Sequence, residues 1–285
     1  MIPKSADGKA RVLSLSYGKD SMACLGALEQ LQWPLDRIVT ADVWATDTIP
    51  ADLPPMVEFK DYADKVIKER YGIEVEHYRS KEPYETVFYH PITAKTRRKR
   101  ETYAQTRENY RYDSSKPLIY GFPCVLGAWC NSRLKVSAIK EAEKSAKGCV
   151  SYIGIAADEP NRFHNADETH FLPLVEIGWT ESDCRAWCEE NGLLSPIYTQ
   201  SARGGCWFCH NQGVGQLRML RKQYPDLWAL LLKWDDDSPA TFHADGHTVH
   251  DFDRRFALED DGLIAADDKV FRWSMLDEEL NYRLF

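Results

Sequence analysis

The sequence predicts an α/β fold, a Rossmann-like doubly wound parallel sheet followed by a helical C-terminal portion. Apolar, β-branched runs recur at 11–16, 37–44, 73–78 and 150–156, with helical patterns between them at 20–31, about 56–71 and about 131–147. Strands alternating with helices imply parallel pairing, with helices covering both faces of the sheet. The chain has 285 residues, 44% apolar and 28% charged, which suffices for a full core. The expected division is an α/β domain over 1–178, carrying a basic insertion at about 79–120, and a helical portion over 179–285.

The first strand runs directly into Ser16, Tyr17, Gly18, Lys19, Asp20 and Ser21, and a helical pattern begins at once. That order makes a phosphate cradle, because amides at a helix N-terminus point at an anion and the helix dipole assists them. Gly18 allows close backbone approach, Ser16 and Ser21 offer hydroxyls, and Lys19 adds a positive charge. The spacing is neither that of a Walker A loop nor that of a dinucleotide fingerprint. Asp47 and Thr48 follow the second strand and are expected on the same carboxyl rim, where such sheets bind ligands.

The regular pattern fails between 79 and 120. Lys95, Arg97, Arg98, Lys99 and Arg100 are followed by Arg107 and Arg111, interleaved with Tyr103, Tyr110 and Tyr112. Two readings stand: a solvated face, or a strip over Lys95–Arg111 that contacts nucleic acid or phosphate.

Cys206 and Cys209 form a C-x-x-C knuckle behind Gly204 and Gly205, which supplies two thiolates of a metal site. The other two are sought at Cys124 and Cys130, where Pro123 and Gly127 mark a loop leading to a helix with Arg133 and Lys135. Spacing alone leaves zinc and an iron–sulfur cluster open. Cys24, Cys149, Cys184 and Cys188 read as core thiols. His210 is either a donor to a thiolate or a solvated knuckle residue, and His243–His250 reads as a polar surface loop.

Thr180 to Asp183 fits a capping box that opens a helical unit over 179–198. From about 212 one amphipathic helix is expected, with Leu217, Leu220, Tyr224, Leu227 and Leu231 on one stripe. Past Trp234 the chain turns acidic and irregular to about 268, apart from a short piece at Arg254–Leu258. No apolar stretch approaches the roughly 20 residues of a membrane span, and the N-terminus has no apolar leader, so a cytoplasmic protein with reduced cysteines is expected. A net charge of −8 argues against a nucleic-acid surface over the whole protein, while leaving room for a local basic patch.

The loop Ser16–Ser21 resembles the S-x-G-K-D-S loop of the adenine-nucleotide alpha-hydrolase superfamily, in its PAPS reductase-like branch. Further segments are similar in the same order over roughly 11–220. Cys130 to Lys135 resembles the branch's Cys-x-x-[RL]-[RL]-K segment, and Gly154 to Arg162, with Glu159, its strand-end motif. Phe171 to Asp183 resembles its linker, and Cys206 to Cys209 its closing pair. The resemblance implies ATP or another adenine nucleotide on Ser16–Ser21, with Gly154, Glu159 and Arg162 beside it. Lys19, Asp20, Arg133 and Lys135 would serve the chemistry. It also implies a [4Fe-4S] cluster on Cys124, Cys130, Cys206 and Cys209, although five residues separate the first pair where APS reductases have adjacent cysteines.

The function implied is a nucleotide-dependent sulfur-handling enzyme, foremost an ATP-dependent sulfurtransferase acting through an adenylylated acceptor. A sulfonucleotide reductase is the alternative enzyme, but no cysteine follows Cys209 to act as its late nucleophile. A third reading is a non-catalytic nucleotide- or nucleic-acid-binding module. The acceptor, the sulfur donor and the oligomeric state are not legible in the residues.

Overall fold

In the computed structural model the described residues are 2–5, 7–106, 110–123, 128–144, 148–199, 204–243 and 245–276. The first elements are β1 (Arg11–Ser14), α1 (Lys19–Leu31), β2 (Arg37–Asp42), α2 (Pro54–Tyr71), β3 (Val75–Arg79), α3 (Tyr84–Phe88) and α4 (Ala94–Gln105). A π-helical segment, Asn131–Val136, leads into α5 (Ser137–Lys144). Then come β4 (Val150–Tyr152), β5 (His170–Phe171), α6 (Pro173–Glu176), α7 (Glu181–Glu190), α8 (Val214–Gln223), α9 (Pro225–Asp237) and α10 (Val249–Asp260). No helix among the described residues is long and apolar enough to cross a membrane.

The chain divides into two compact units, Met1–Tyr84 with Cys130–Cys206, and Glu85–Trp129 with Trp207–Phe285. This differs from a break at 178/179: α7 belongs to the first unit, and the basic segment belongs to the second.

The five strands of the first unit form one all-parallel sheet in the order β3-β2-β1-β4-β5. Val12 pairs with Arg37 on one side, and Val12 with Ser151 on the other. Consecutive strand residues face opposite ways. Leu13 and Ile38 join the core beneath α1, α2 and α7, while Val12 and Val39 pack with Ile139 and Ala142 of α5 on the other face. The sheet is thus wound on both faces, as the strand–helix alternation predicts. Each fully buried Leu, Ile or Met of the larger core contributes about 1.5–3 kcal/mol.

Strand order reverses at β1, because β2 and β3 lie to one side and β4 and β5 to the other. The loops after β1 and β4 therefore part at their carboxyl ends and leave a crevice there. Helix α1 is apolar nearly all round, with Met22, Ala23, Cys24, Leu25, Ala27 and Leu28 buried, because α6 and α7 cover the side away from the sheet. Thr180 and Asp183 form the expected capping box at the start of α7.

In the second unit, two expectations are corrected. The single helix expected from 212 is two, α8 and α9, because Pro225 pushes Tyr224 out of helical geometry (φ −132°, ψ 64°) and then opens α9 at its first position. The acidic stretch past Trp234 contains a full helix, α10. Thr248 and Asp251 cap it, and Val249, Phe252 and Phe256 form its buried stripe. His250 therefore lies in the first turn of a helix and not in a surface loop. Trp207 stacks on Trp234 at 5.5 Å in this unit's core, and the Trp234 indole donates to Glu85 at 3.0 Å.

Candidate functional site

The site grows from the step between β1 and α1. Gly18 is the N-cap of α1 and brings no side-chain oxygen to the first turn. The loop is instead held from within by its serines. The Ser16 amide donates to Ser21 Oγ at 3.1 Å, the two hydroxyls lie 3.0 Å apart, and Ser21 Oγ donates to the Gly18 carbonyl at 3.0 Å. From α7 and the segment after it, Cys188 Sγ donates to the Lys19 carbonyl at 3.3 Å, and the Lys19 amide donates to Tyr198 Oη at 3.1 Å.

A cleft of about 690 Å³ opens over this loop. Ser16, Tyr17, Gly18, Lys19, Asp20 and Ser21 all line it, as do Gly154, Glu159 and Arg162 from beyond β4, Lys135 from the π-helical segment, and Cys206. These predicted residues, distant in sequence, are brought together. Gly154 is there because nothing larger fits: a Cβ on it would lie 2.7 Å from the Ser21 backbone.

Asp47, Thr48 and Arg133 are not part of the cleft lining. Thr46 Oγ1 accepts the amides of Thr48 and Ile49, a local turn that leaves Asp47 exposed, 3.9 Å from Arg79. Arg133 is also exposed. Among the cysteines, Cys130 and Cys206 belong to the first unit and Cys209 to the second, and all three are half-buried. Cys124 lies outside the described residues, as does Arg107. Cys24, Cys184 and Cys188 are fully buried, as core thiols should be, and burial pushes the Cys184 and Cys188 thiols up to about 12. Cys149, expected among them, is only half-buried, because it precedes β4 and packs at the edge of the smaller cluster around Val12 and Ala142.

The cleft couples cations to carboxylates. Lys19 Nζ lies 2.9 Å from Asp20 and 3.3 Å from Glu181, and Arg162 Nη1 lies 2.8 Å from both Glu159 oxygens. Burial alone would lower the Lys19 ammonium, but the two carboxylates outweigh it and hold its pKa above the ordinary value. Burial raises the Asp20 carboxyl against the pull of Lys19, and Glu181 and Glu159 add to the rise. Ligand oxygens of Asp20, Glu159 and Glu181 lie within 4.8 Å of one another, a set of hard donors suited to a divalent cation. Glu181 is missed by sequence reasoning because its visible role is at the start of α7. Lys60, Asp52 and Tyr198 also line the cleft unannounced.

Tyr17 shapes the loop. Its φ of +56° is left-handed, which costs a non-glycine residue about 1–2 kcal/mol. The side chain is wholly buried, and its hydroxyl donates to Asp64 Oδ1 at 2.6 Å. His77 lies between Asp64 (Nε2, 2.9 Å) and Asp42 (Nδ1, 2.7 Å), and Lys60 bridges Asp42 and Asp52. Hydrogen bonds to Asp42 and Asp64 raise the His77 pKa to about 9, from an ordinary 6.5. The stability this imidazolium adds is therefore complete below pH 6.5 and is lost as pH rises through about 9. Because the side chain is 37% exposed, solvent screening holds the effect to about 1 kcal/mol. Denaturant unfolding of the wild type and His77→Gln should show a stability gap at neutral pH that closes on the alkaline side; a gap independent of pH would contradict the assignment.

A scan against protein-family models gives no match, and neither does a search of curated proteins.

Proposed function

We propose that the chain is an adenine-nucleotide-dependent enzyme that transfers sulfur to an acceptor activated by adenylylation. One observation carries the nucleotide part. The serine-rich turn after β1, Lys19, Lys135 and Arg162 line a single cleft at the point where strand order reverses. The sulfur part rests on the cysteine pattern and on the order of the motifs that resemble the PAPS reductase-like branch.

In this reading the phosphates of ATP lie on the loop and exchange for the carboxylates that now neutralise Lys19 and Arg162. An acceptor oxygen attacks the α-phosphorus, a new P–O bond forms, the α–β bridging bond breaks, and pyrophosphate leaves. Lys19, once released from Asp20 and Glu181, and the loop amides stabilise the charge that develops there. Lys135 and Arg162 flank the same anion. A hydrosulfide-level donor then displaces AMP, so that sulfur takes the place of the activated oxygen.

Cys124, Cys130, Cys206 and Cys209 would hold the [4Fe-4S] cluster, with zinc as the alternative metal for the same thiolates. Half-burial leaves Cys130, Cys206 and Cys209 open to a ligand role, a property Cys149 shares, whereas burial keeps Cys24, Cys184 and Cys188 protonated. When bound, a cluster would supply redox or sulfur-binding chemistry. Anaerobically purified protein should show the broad visible absorption of a cluster, with iron and sulfide lost in Cys124→Ser and Cys206→Ser and retained in Cys184→Ser. Full iron in Cys206→Ser, or its loss in Cys184→Ser, would mean the wrong cysteines are paired. Stoichiometric zinc without iron would keep the site and remove the cluster.

A further inference from the structure

The second unit carries a cationic surface that the nucleotide cleft does not use. Helix α4 has two faces of different character. One is anchored: Arg97 Nε pairs with Glu101 at 2.7 Å, Ser114 Oγ donates to Glu101 at 2.6 Å, and the Arg97 guanidinium also donates to the Ser114 carbonyl. Arg100 is 5% exposed, donates to the Tyr120 carbonyl and lies over the Tyr120 ring. These arginines are spent on holding the helix.

The opposite face is free of that work. Lys95, Arg98 and Lys99 are exposed, and none of them pairs with a carboxylate among the described residues. They border one shallow groove with Thr102, Tyr103 and Thr106. Tyr103 packs edge-on against Tyr110 at 5.9 Å, which fixes its ring while leaving part of it in the groove.

We infer that this outer face of α4 binds the backbone of a single-stranded nucleic acid, with Tyr103 as a stacking platform for a base. Lys95 and Lys99 are one helical turn apart, about 6 Å along the axis, which suits successive phosphates of an extended strand. A cationic groove with an aromatic ring in it is the general arrangement for single strands. A membrane surface fits less well, because α4 contains no Leu, Ile, Val, Phe or Trp to enter a bilayer. The structure also narrows the strip expected over Lys95–Arg111, since Arg97 is paired with Glu101 and Arg100 and Tyr110 are buried.

Fluorescence anisotropy of the full chain with a labelled oligo(dT) of about 20 nucleotides, over a salt series, tests this. Combining Lys95→Glu, Arg98→Glu and Lys99→Glu should weaken binding by about tenfold or more and shrink the salt slope by about 2, the value for three phosphate contacts on a single strand. Tyr103→Leu should weaken binding and leave the slope unchanged. The triple Lys95→Gln, Arg98→Gln, Lys99→Gln repeats the test without like-charge repulsion on the helix. Unchanged affinity and slope in both triple variants would overturn the proposal. So would tighter binding to the duplex than to the strand, or to phosphatidylserine vesicles than to either.

Discussion

Replacing Gly154 with alanine should disable the proposed nucleotide site and weaken the fold together. The added methyl would lie 2.7 Å from both the Cα and the amide nitrogen of Ser21, and 2.9 Å from the Asp20 carbonyl carbon. All three are backbone atoms, so no rotamer change relieves the clash. Either the start of α1 moves away from the end of β4, or β4 shifts in the sheet. Overpacking of this kind costs about 1–3 kcal/mol of stability. The loop Ser16–Ser21 would move with the helix, and ATP affinity should fall by more than about tenfold, or 1.4 kcal/mol. Calorimetric titration beside denaturant unfolding reads both effects. Unaltered ATP affinity in the alanine variant would mean that the contact of β4 with α1 has no part in the site.

Lys19→Ala should weaken ATP binding by about 1.5–3 kcal/mol, the range for a hydrogen bond to a charged group, while the fold persists. The change removes the cation that Asp20 and Glu181 now share, and both carboxylates would remain in the cleft beside Glu159, which Arg162 holds. Binding of a polyanion is then opposed twice, by the missing ammonium and by the carboxylates it had neutralised. Titration calorimetry with ATP is the measurement. Affinity equal to that of the wild type would remove the nucleotide reading of the loop.

Those two positions also mark how far the residues alone could be read. The parallel sheet was legible because Val12, Leu13, Ile38 and Val39 lie in short apolar runs separated by helical periods, and such signals are local. The loop was legible for the same reason. Asp47 and Thr48 sit at the correct end of β2, but the turn built on Thr46 Oγ1 directs them to solvent, which no strand pattern reveals. Helix α10 was hidden by its His and Asp content, although Thr248, Asp251 and the spacing of Val249, Phe252 and Phe256 carried its signature. Pro225 likewise announced the break between α8 and α9, and the stripe of leucines across it concealed the fact. Glu181, Lys60 and Tyr198 reach the cleft through tertiary packing, which the residues on either side of each do not encode. The partners of Tyr17 come from other elements too, since Asp64 is on α2 and His77 on β3.

The left-handed Tyr17 has a consequence for the timing of events at the site. Its backbone geometry is fixed by a buried ring and by a hydrogen bond to Asp64, both in place before any ligand arrives. The ordering of the loop is therefore completed during folding, and binding does not have to supply it. In the proposed reading a phosphate meets a loop whose backbone is already set, and what has to rearrange is the pairing of Lys19 with Asp20 and Glu181. Differences among anions that fit the cleft are then expressed in how long each stays rather than in how quickly each is taken up.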